Sequence, residues 1–323
     1  MSRSLSKFLQ ITIPLGLGVF LIWYIYTSFT EQQLIETKRY FADANYFFVV
    51  LSVLLSVLSH LSRAYRWSFM LEALGYKTKL ANNFMAVSVA YLMNVFIPKS
   101  GEVSRGIVLD KYEGVPFQKG FGSIISERVV DLVCLLLFTA VALYLKFDVL
   151  YDIVMGRIPA SMLYLLLGGA FAILILIPLY IKFSKSNINK KLKNFVIGLK
   201  EGIFSIVKMQ RKSAFLFQTV IIWGLYLLSF YTALYALPET SGIPFGTVII
   251  AFVVGSFTFA FTNSGFGTYP AAIAGILAVF GIVKTAGVAF GWILWISNIA
   301  SLMFFGVLSL LILPLYNRNR IKK

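Results

Sequence analysis

Apolar positions in this chain come in long unbroken runs rather than in alternation with polar ones. Crossing a hydrocarbon core as a helix takes roughly 20 apolar residues. Runs on that scale cover Ile11–Ser28, Tyr46–Leu61, Val129–Leu145, Met162–Ile181, Ala214–Leu237 and Gly287–Leu313. Strands of an outer-membrane barrel would alternate instead. The pattern predicts an all-α, polytopic membrane helix bundle, a single integral membrane domain over residues 1–323.

Two regions do not fit simple spans. Ala81–Pro98 and Phe117–Ser126 flank the polar stretch NVFIPKSGEVSRGIVLD, residues Asn94 to Asp110. Thr247–Thr262 and Ala271–Val283 flank a second break, TNSGFGTYP, Thr262 to Pro270. Irregular backbone at membrane depth leaves N–H and C=O groups unpaired unless protein or a water-filled cavity surrounds it. The expectation is therefore two re-entrant or broken helical hairpins. Each follows one span and precedes another, which suggests half-repeats of about 46–146 and 214–313.

Composition supports the membrane reading. The 323 residues are 59% hydrophobic and 13% charged, with a mean hydropathy of +0.83. Soluble domains carry about 25% charged residues. The net charge of +16 lies mostly in short segments between spans. No stretch is long enough for the basic face of a soluble nucleic-acid-binding domain. Cys134 is the single cysteine, so no internal disulfide forms.

Charge also predicts orientation, because basic loops stay in the cytoplasm. Arg3 and Lys7 precede a first helix that lacks a small-x-small cleavage signal, and this helix is expected to be retained. Arg63, Arg66, Lys77 and Lys79 follow the second span. The segment 182–213 holds Lys185, Lys190, Lys191, Lys193, Lys200, Lys208 and Arg211 against Glu201. The tail carries Arg318, Arg320, Lys322 and Lys323. Both termini and the connector 182–213 are thus expected inside, in a cell membrane. The two hairpins then enter from opposite sides, as in the inverted repeats of transport folds.

The polar residues at the first break have a physical reading. Pro98 disfavours helix before it and Gly101 permits the turn. Asn94 lies one turn before Pro98, where it can bond freed backbone. Glu102 and Arg105 are three apart, close enough to pair on a helix. Glu127 and Asp131 in SERVVD are four apart, with Arg128 three before Asp131. An acid that far into an apolar helix usually faces protein interior. Two readings stand: one buried polar cluster of Glu102, Arg105, Glu127, Arg128 and Asp131 receiving an anionic headgroup, or a wet loop beside an interfacial acid. Arg63, Arg66 and Trp67 look like an interfacial anchor, with Arg63 still in reach of a headgroup. His60 is the only histidine, which excludes multi-histidine metal sites. Gly265 and Gly267 read as a backbone turn in the second hairpin, not as a nucleotide fingerprint. No Walker, zinc or nucleophile-elbow motif is present.

These motifs together resemble the lysylphosphatidylglycerol synthase transmembrane-region family of flippase-like proteins. The similarity runs from about Leu5 to Leu313. It is carried by Asn94-x3-Pro98-x2-Gly101-Glu102-x2-Arg105, by Glu127-Arg128-x2-Asp131, by the preceding SRAYRW…LEALG, and by the second-half glycine turn. That family usually shows Pro-Gly-Gly-x-Gly followed by a glutamate. Here the turn is Asn263-Ser264-Gly265-Phe266-Gly267, with Pro270 near the place of the acid. The resemblance implies translocation of a polar-headed lipid between leaflets, with anionic phospholipid or glycolipid headgroups as ligands and envelope-biosynthesis proteins as further partners. It implies no cofactor. The aminoacyl-transferase domain of two-part members has no room here, so the chain is not expected to make the lipid. The other reading is a non-transporting membrane subunit or an enzyme on a lipid-linked sugar, using Glu102, Glu127 and Asp131 as acid–base groups.

Overall fold

The computed structural model describes residues 16, 18–147, 209–262 and 264–318. The expected span Met162–Ile181, nearly all of the basic connector, Asn263, and Arg3, Lys7 and Arg320 lie outside the described residues.

Among the described residues there are helices and no strand. They are α1 (Gly18–Ser28), α2 (Glu31–Asp43), α3 (Tyr46–Ala73), α4 (Leu80–Phe96), α5 (Gly101–Glu113), α6 (Phe117–Leu145), α7 (Lys212–Leu234), α8 (Pro238–Ser241), α9 (Phe245–Phe261), α10 (Thr268–Val279) and α11 (Lys284–Tyr316). Four of them, α3, α6, α7 and α11, are long and apolar enough to cross a membrane. The chain is an all-α, multi-pass membrane helix bundle.

The element order has a regular rhythm. A long helix, α3, leads into the short pair α4 and α5 and then into long α6. Long α7 leads, after the single turn α8, into the short pair α9 and α10 and then into long α11. The first arms, α4 and α9, have 17 residues each, and the second arms have 13 and 12. At 1.5 Å per residue the second arms are about 20 Å long, short of a core of about 30 Å.

The packing is crosswise. Helix α3 lies along α7, α4 lies against α11, and α9 lies against α6. Small residues permit these approaches. At Gly306 on α11 a Cβ would sit 3.0 Å from the Ser88 carbonyl of α4 and run into Leu92. Two larger apolar cores result, with a small third one of Phe29, Ala274 and Val288. One joins Ile222, Phe230, Phe252, Ile273 and Phe290 with Leu135 and Ala142 of α6. The other joins Trp67, Leu71, Val89, Leu109 and Ile124 with Phe215 and Leu313.

Three boundaries differ from the sequence reading. The second arm of the first hairpin is α5, and Phe117–Ser126 forms the opening turns of α6. Gly114, at φ 69°, closes α5 in the left-handed region, and Pro116 caps α6. Nothing then breaks α6 before Leu145, because its charged residues find buried partners. Helix α3 likewise runs three turns beyond Leu61. In the second half, the arm is Thr268–Val279 rather than Ala271–Val283, and the following span begins at Lys284.

Candidate functional site

Arg63 and Arg66 are three apart and so share one face of α3. That face meets Glu127 and Asp131, one turn apart on α6. Arg63 Nη1 donates to Glu127 Oε1 and to Asp131 Oδ2, the latter at 2.6 Å. Arg66 Nη2 donates to Asp131 Oδ1 at 3.0 Å and lies 3.5 Å from Glu127 Oε1. Its Nη1 donates to Thr219 of α7 at 3.0 Å. Arg105 comes from α5 and donates to Glu127 Oε2 at 2.9 Å. Its guanidinium carbon lies 3.7 Å from the centre of the Trp67 ring, and Trp67 Nε1 donates to Ser123 at 2.9 Å.

All of these charged groups are buried, and Glu127 is fully so. Desolvating an ion costs several kcal/mol, which only close, well-bonded partners offset. Here each acid has three arginine neighbours. Glu127 has Arg63, Arg66 and Arg105; Asp131 has Arg63, Arg66 and, at 3.7 Å, Arg128. The cluster ties α3, α5 and α6 together and, through Thr219, reaches α7. The interfacial-anchor reading of Arg63, Arg66 and Trp67 is corrected by this: all three are core residues.

Glu102 and Arg105 do not pair with one another. The face of α5 that carries Arg105 turns inward to Glu127 and Trp67. Glu102 lies instead by Arg128, whose Nε is 3.5 Å from Glu102 Oε1. Asn94 bonds backbone as expected: its Oδ1 accepts from the Gly101 N–H at 2.8 Å. A Cβ on Gly101 would displace that amide. In the second hairpin Gly265 and Gly267 have φ of 72° and 65°, which accounts for the turn there.

Beside the cluster lies a cavity of about 500 Å³. Its polar lining includes His60, Arg63, Asn94, Lys99, Glu102, Arg128 and Asp131, with Tyr91 and Tyr226. Its apolar lining includes Leu132, Leu135, Phe230, Phe252, Phe259 and Leu302. The tips of both hairpins, Pro98 and Lys99 on one and Thr262 and Ser264 on the other, reach into its lining. Tyr226 links the two regions, accepting from Arg63 Nη2 at 3.4 Å and sitting 3.4 Å from His60 Nδ1. Arg105 does not line this cavity; it stands behind Glu127. Of the expected site residues, Arg63, Asn94, Pro98, Glu102, Arg128 and Asp131 face the cavity, and Glu127 and Arg105 support it from behind.

Sequence reasoning left out Arg66, Lys99, Tyr91 and Tyr226. The first had a usable signal: two arginines three apart facing two acids four apart form matched helix faces. The tyrosines had none, since their role depends on α4 and α7 closing on the same space. Among the described residues no group of three or more metal-ligating side chains is present.

A cavity of about 500 Å³ is the size of a small-molecule site. Its lining combines cations and hydroxyls with aromatic and aliphatic side chains.

The comparisons with known proteins agree with this picture at the level of family. UPF0104 membrane protein MJ1595 of Methanocaldococcus jannaschii is 28% identical over 131 residues, 37% of this chain and 39% of the relative. UPF0104 membrane protein MJ1078 of the same organism is 32% identical over 120 residues, 35% of this chain and 48% of the relative. The matched segment thus spans less than half the length of each of these two relatives. No solved structure matches. The profile of a family described as "Lysylphosphatidylglycerol synthase TM region" matches residues 11–306. With its charged cluster, paired hairpins and membrane-spanning helices, the chain belongs to the lysylphosphatidylglycerol synthase TM region family.

Proposed function

We propose that this protein moves a polar-headed lipid, a phospholipid or glycolipid, between the leaflets of a cell membrane, holding the headgroup in the cavity between its two helical hairpins. The observation that carries the reading is the mixed lining of that cavity, which combines the cations Arg63, Lys99 and Arg128 with the aromatic rings of Phe230, Phe252 and Phe259. A headgroup needs the first set and acyl carbons the second.

The paired hairpins support an alternating role, in which each half of an inverted repeat opens the cavity toward one side. With the basic connector on the cytoplasmic side, both termini are cytoplasmic in this reading. The competing acid–base reading is less well supported. Glu127 and Asp131 are each surrounded by three arginines, which suits holding a shape.

The test is translocation of fluorescent lipid analogues in proteoliposomes, read by loss of fluorescence to an impermeant quencher. The reading predicts a rate above protein-free vesicles for at least one anionic phospholipid or glycolipid analogue. A rate equal to that of protein-free vesicles with every headgroup class would sink it.

A further inference from the structure

The two hairpins are fastened to each other at their tips by a reciprocal pair of bonds. Lys99, three residues past the end of α4, donates from Nζ to the Ala260 carbonyl of α9 at 2.8 Å. Ser264, three residues past the end of α9, donates from Oγ to the Asn94 carbonyl of α4 at 3.1 Å. Each tip thus bonds the first arm of the other hairpin. Both residues hold positive φ, 61° at Lys99 and 51° at Ser264, a region that side chains other than glycine rarely adopt. Such conformations persist where the surroundings hold them, and they recur at clamps and switches.

Lys99 is the less settled of the two fasteners. Its side chain lines the cavity, and among the described residues it forms no ion pair. Its recorded partner is a neutral carbonyl. Arg128 also lines the cavity. Its Nε is buried without a hydrogen bond, and Oε2 of its partner Glu102 is likewise unbonded. Arg63 also has an unbonded Nε, but its Nη1 is held closely by both Glu127 and Asp131. Of the three arginine and lysine side chains that line the cavity, Lys99 thus has no ion pair among the described residues and Arg128 has only long ones, at 3.5 and 3.7 Å. Charge-assisted bonds to phosphate are stronger than a bond to a neutral carbonyl.

We infer that Lys99 and Arg128 form a binding site for a phosphate group and that Lys99 is also the catch between the hairpins, so that a phosphate in the cavity draws the ammonium off the Ala260 carbonyl and releases one tip from the other. The lipid source of that phosphate rests on the transport reading; the site and the catch do not. Ligand entry is then coupled to hairpin separation through one side chain. A zwitterionic or anionic phospholipid and free phosphate share the group; the lipids differ in net charge and in their tether to the membrane.

The experiment is a spin-label distance measurement on the whole protein in nanodiscs. Labels go at Ile97→Cys and Phe261→Cys, both exposed tip positions, in a Cys134→Ser background. Three conditions are compared: nanodiscs of a phosphate-free diglycosyl diacylglycerol alone, the same lipid with phosphatidylglycerol, and the same lipid with inorganic phosphate. The expected result is a severalfold rise in a longer-distance population with phosphatidylglycerol. Lys99→Met should remove that response, giving the same distribution in all three conditions, and Lys99→Arg should restore it. A response to inorganic phosphate alone upholds the site and assigns it a soluble ligand. No response of the parent protein to either probe overturns the inference, as does a Lys99→Met variant that responds like the parent. Lipid translocation measured on the same variants in proteoliposomes separates the two readings. A distance response without translocation removes the transport function and leaves the catch; translocation unaffected by Lys99→Met does the reverse.

Discussion

The guanidinium of Arg105 lies flat enough on Trp67 to bring its central carbon within 3.7 Å of the ring centre, while one of its nitrogens holds Glu127 at 2.9 Å. Arginine can do both at once because its planar group stacks and forks together; an ammonium cannot. Arg105→Lys should therefore cost stability even though charge is kept. A double-mutant cycle with Trp67→Leu should return a coupling of about 0.5–2 kcal/mol, the range for a desolvated cation–π pair. Unfolding in detergent, followed by tryptophan-independent circular dichroism, measures it. Additive single effects would show that the stacking carries no energy.

Removing an acid from the cluster should hurt more than removing an arginine. Arg63, Arg66 and Arg105 outnumber Glu127 and Asp131, so each lost acid leaves buried positive charge in excess. Asp131→Ala or Glu127→Ala should cost about 3–5 kcal/mol, the loss typical of breaking a buried pair from one side. Arg105→Ala should cost less than Glu127→Ala, since Glu127 keeps Arg63 and Arg66. Comparing the three variants' unfolding free energies checks the order; equal costs would contradict it.

Arg128 separates fold from function. Its side chain is 40% exposed and its pairs with Glu102 and Asp131 are long, at 3.5 and 3.7 Å. Such a half-solvated contact is worth about 1 kcal/mol or less. Arg128→Ala should leave thermal stability close to the parent and yet abolish most lipid translocation in proteoliposomes. Full translocation by a stable Arg128→Ala protein would remove this residue from the proposed headgroup site.

The contact of α4 with α11 should be sensitive to volume at Gly306. A side chain there meets Leu92 and the Ser88 carbonyl. Gly306→Ala should already destabilise by about 1–3 kcal/mol, as overpacking does, and Gly306→Leu should prevent monodisperse purification. A stable Gly306→Leu protein would mean that the two helices do not approach so closely.

The sequence made the apolar spans legible because length and hydrophobicity alone define them. It also marked Asp131 as an acid set in an apolar helix, while leaving open whether the acids there are buried or interfacial. Helix α5 was missed because GEVSRGIVLDKYE looks like a connector. It is kept in the bundle by Arg105, whose partner Glu127 lies 22 residues away. The last turns of α3 were missed for the same reason. Arg63 and Arg66 end the apolar run in the sequence, but in space they are neutralised by acids 64 to 68 residues on. Charges that cancel across helices look, one helix at a time, like the water's edge.

The crosswise packing of α4 on α11 sets a timetable for synthesis. Leu92 and Gly306 are about 210 residues apart in the chain. At 5–20 residues per second a ribosome needs roughly 10–40 s to make that stretch. For that interval the first hairpin is in the membrane without its wall, and its groove of Ser88 and Leu92 is open to whatever helix passes. Until α11 arrives, α4 has mainly α3 and α5 to pack against, and a chain stalled before α11 leaves that groove open.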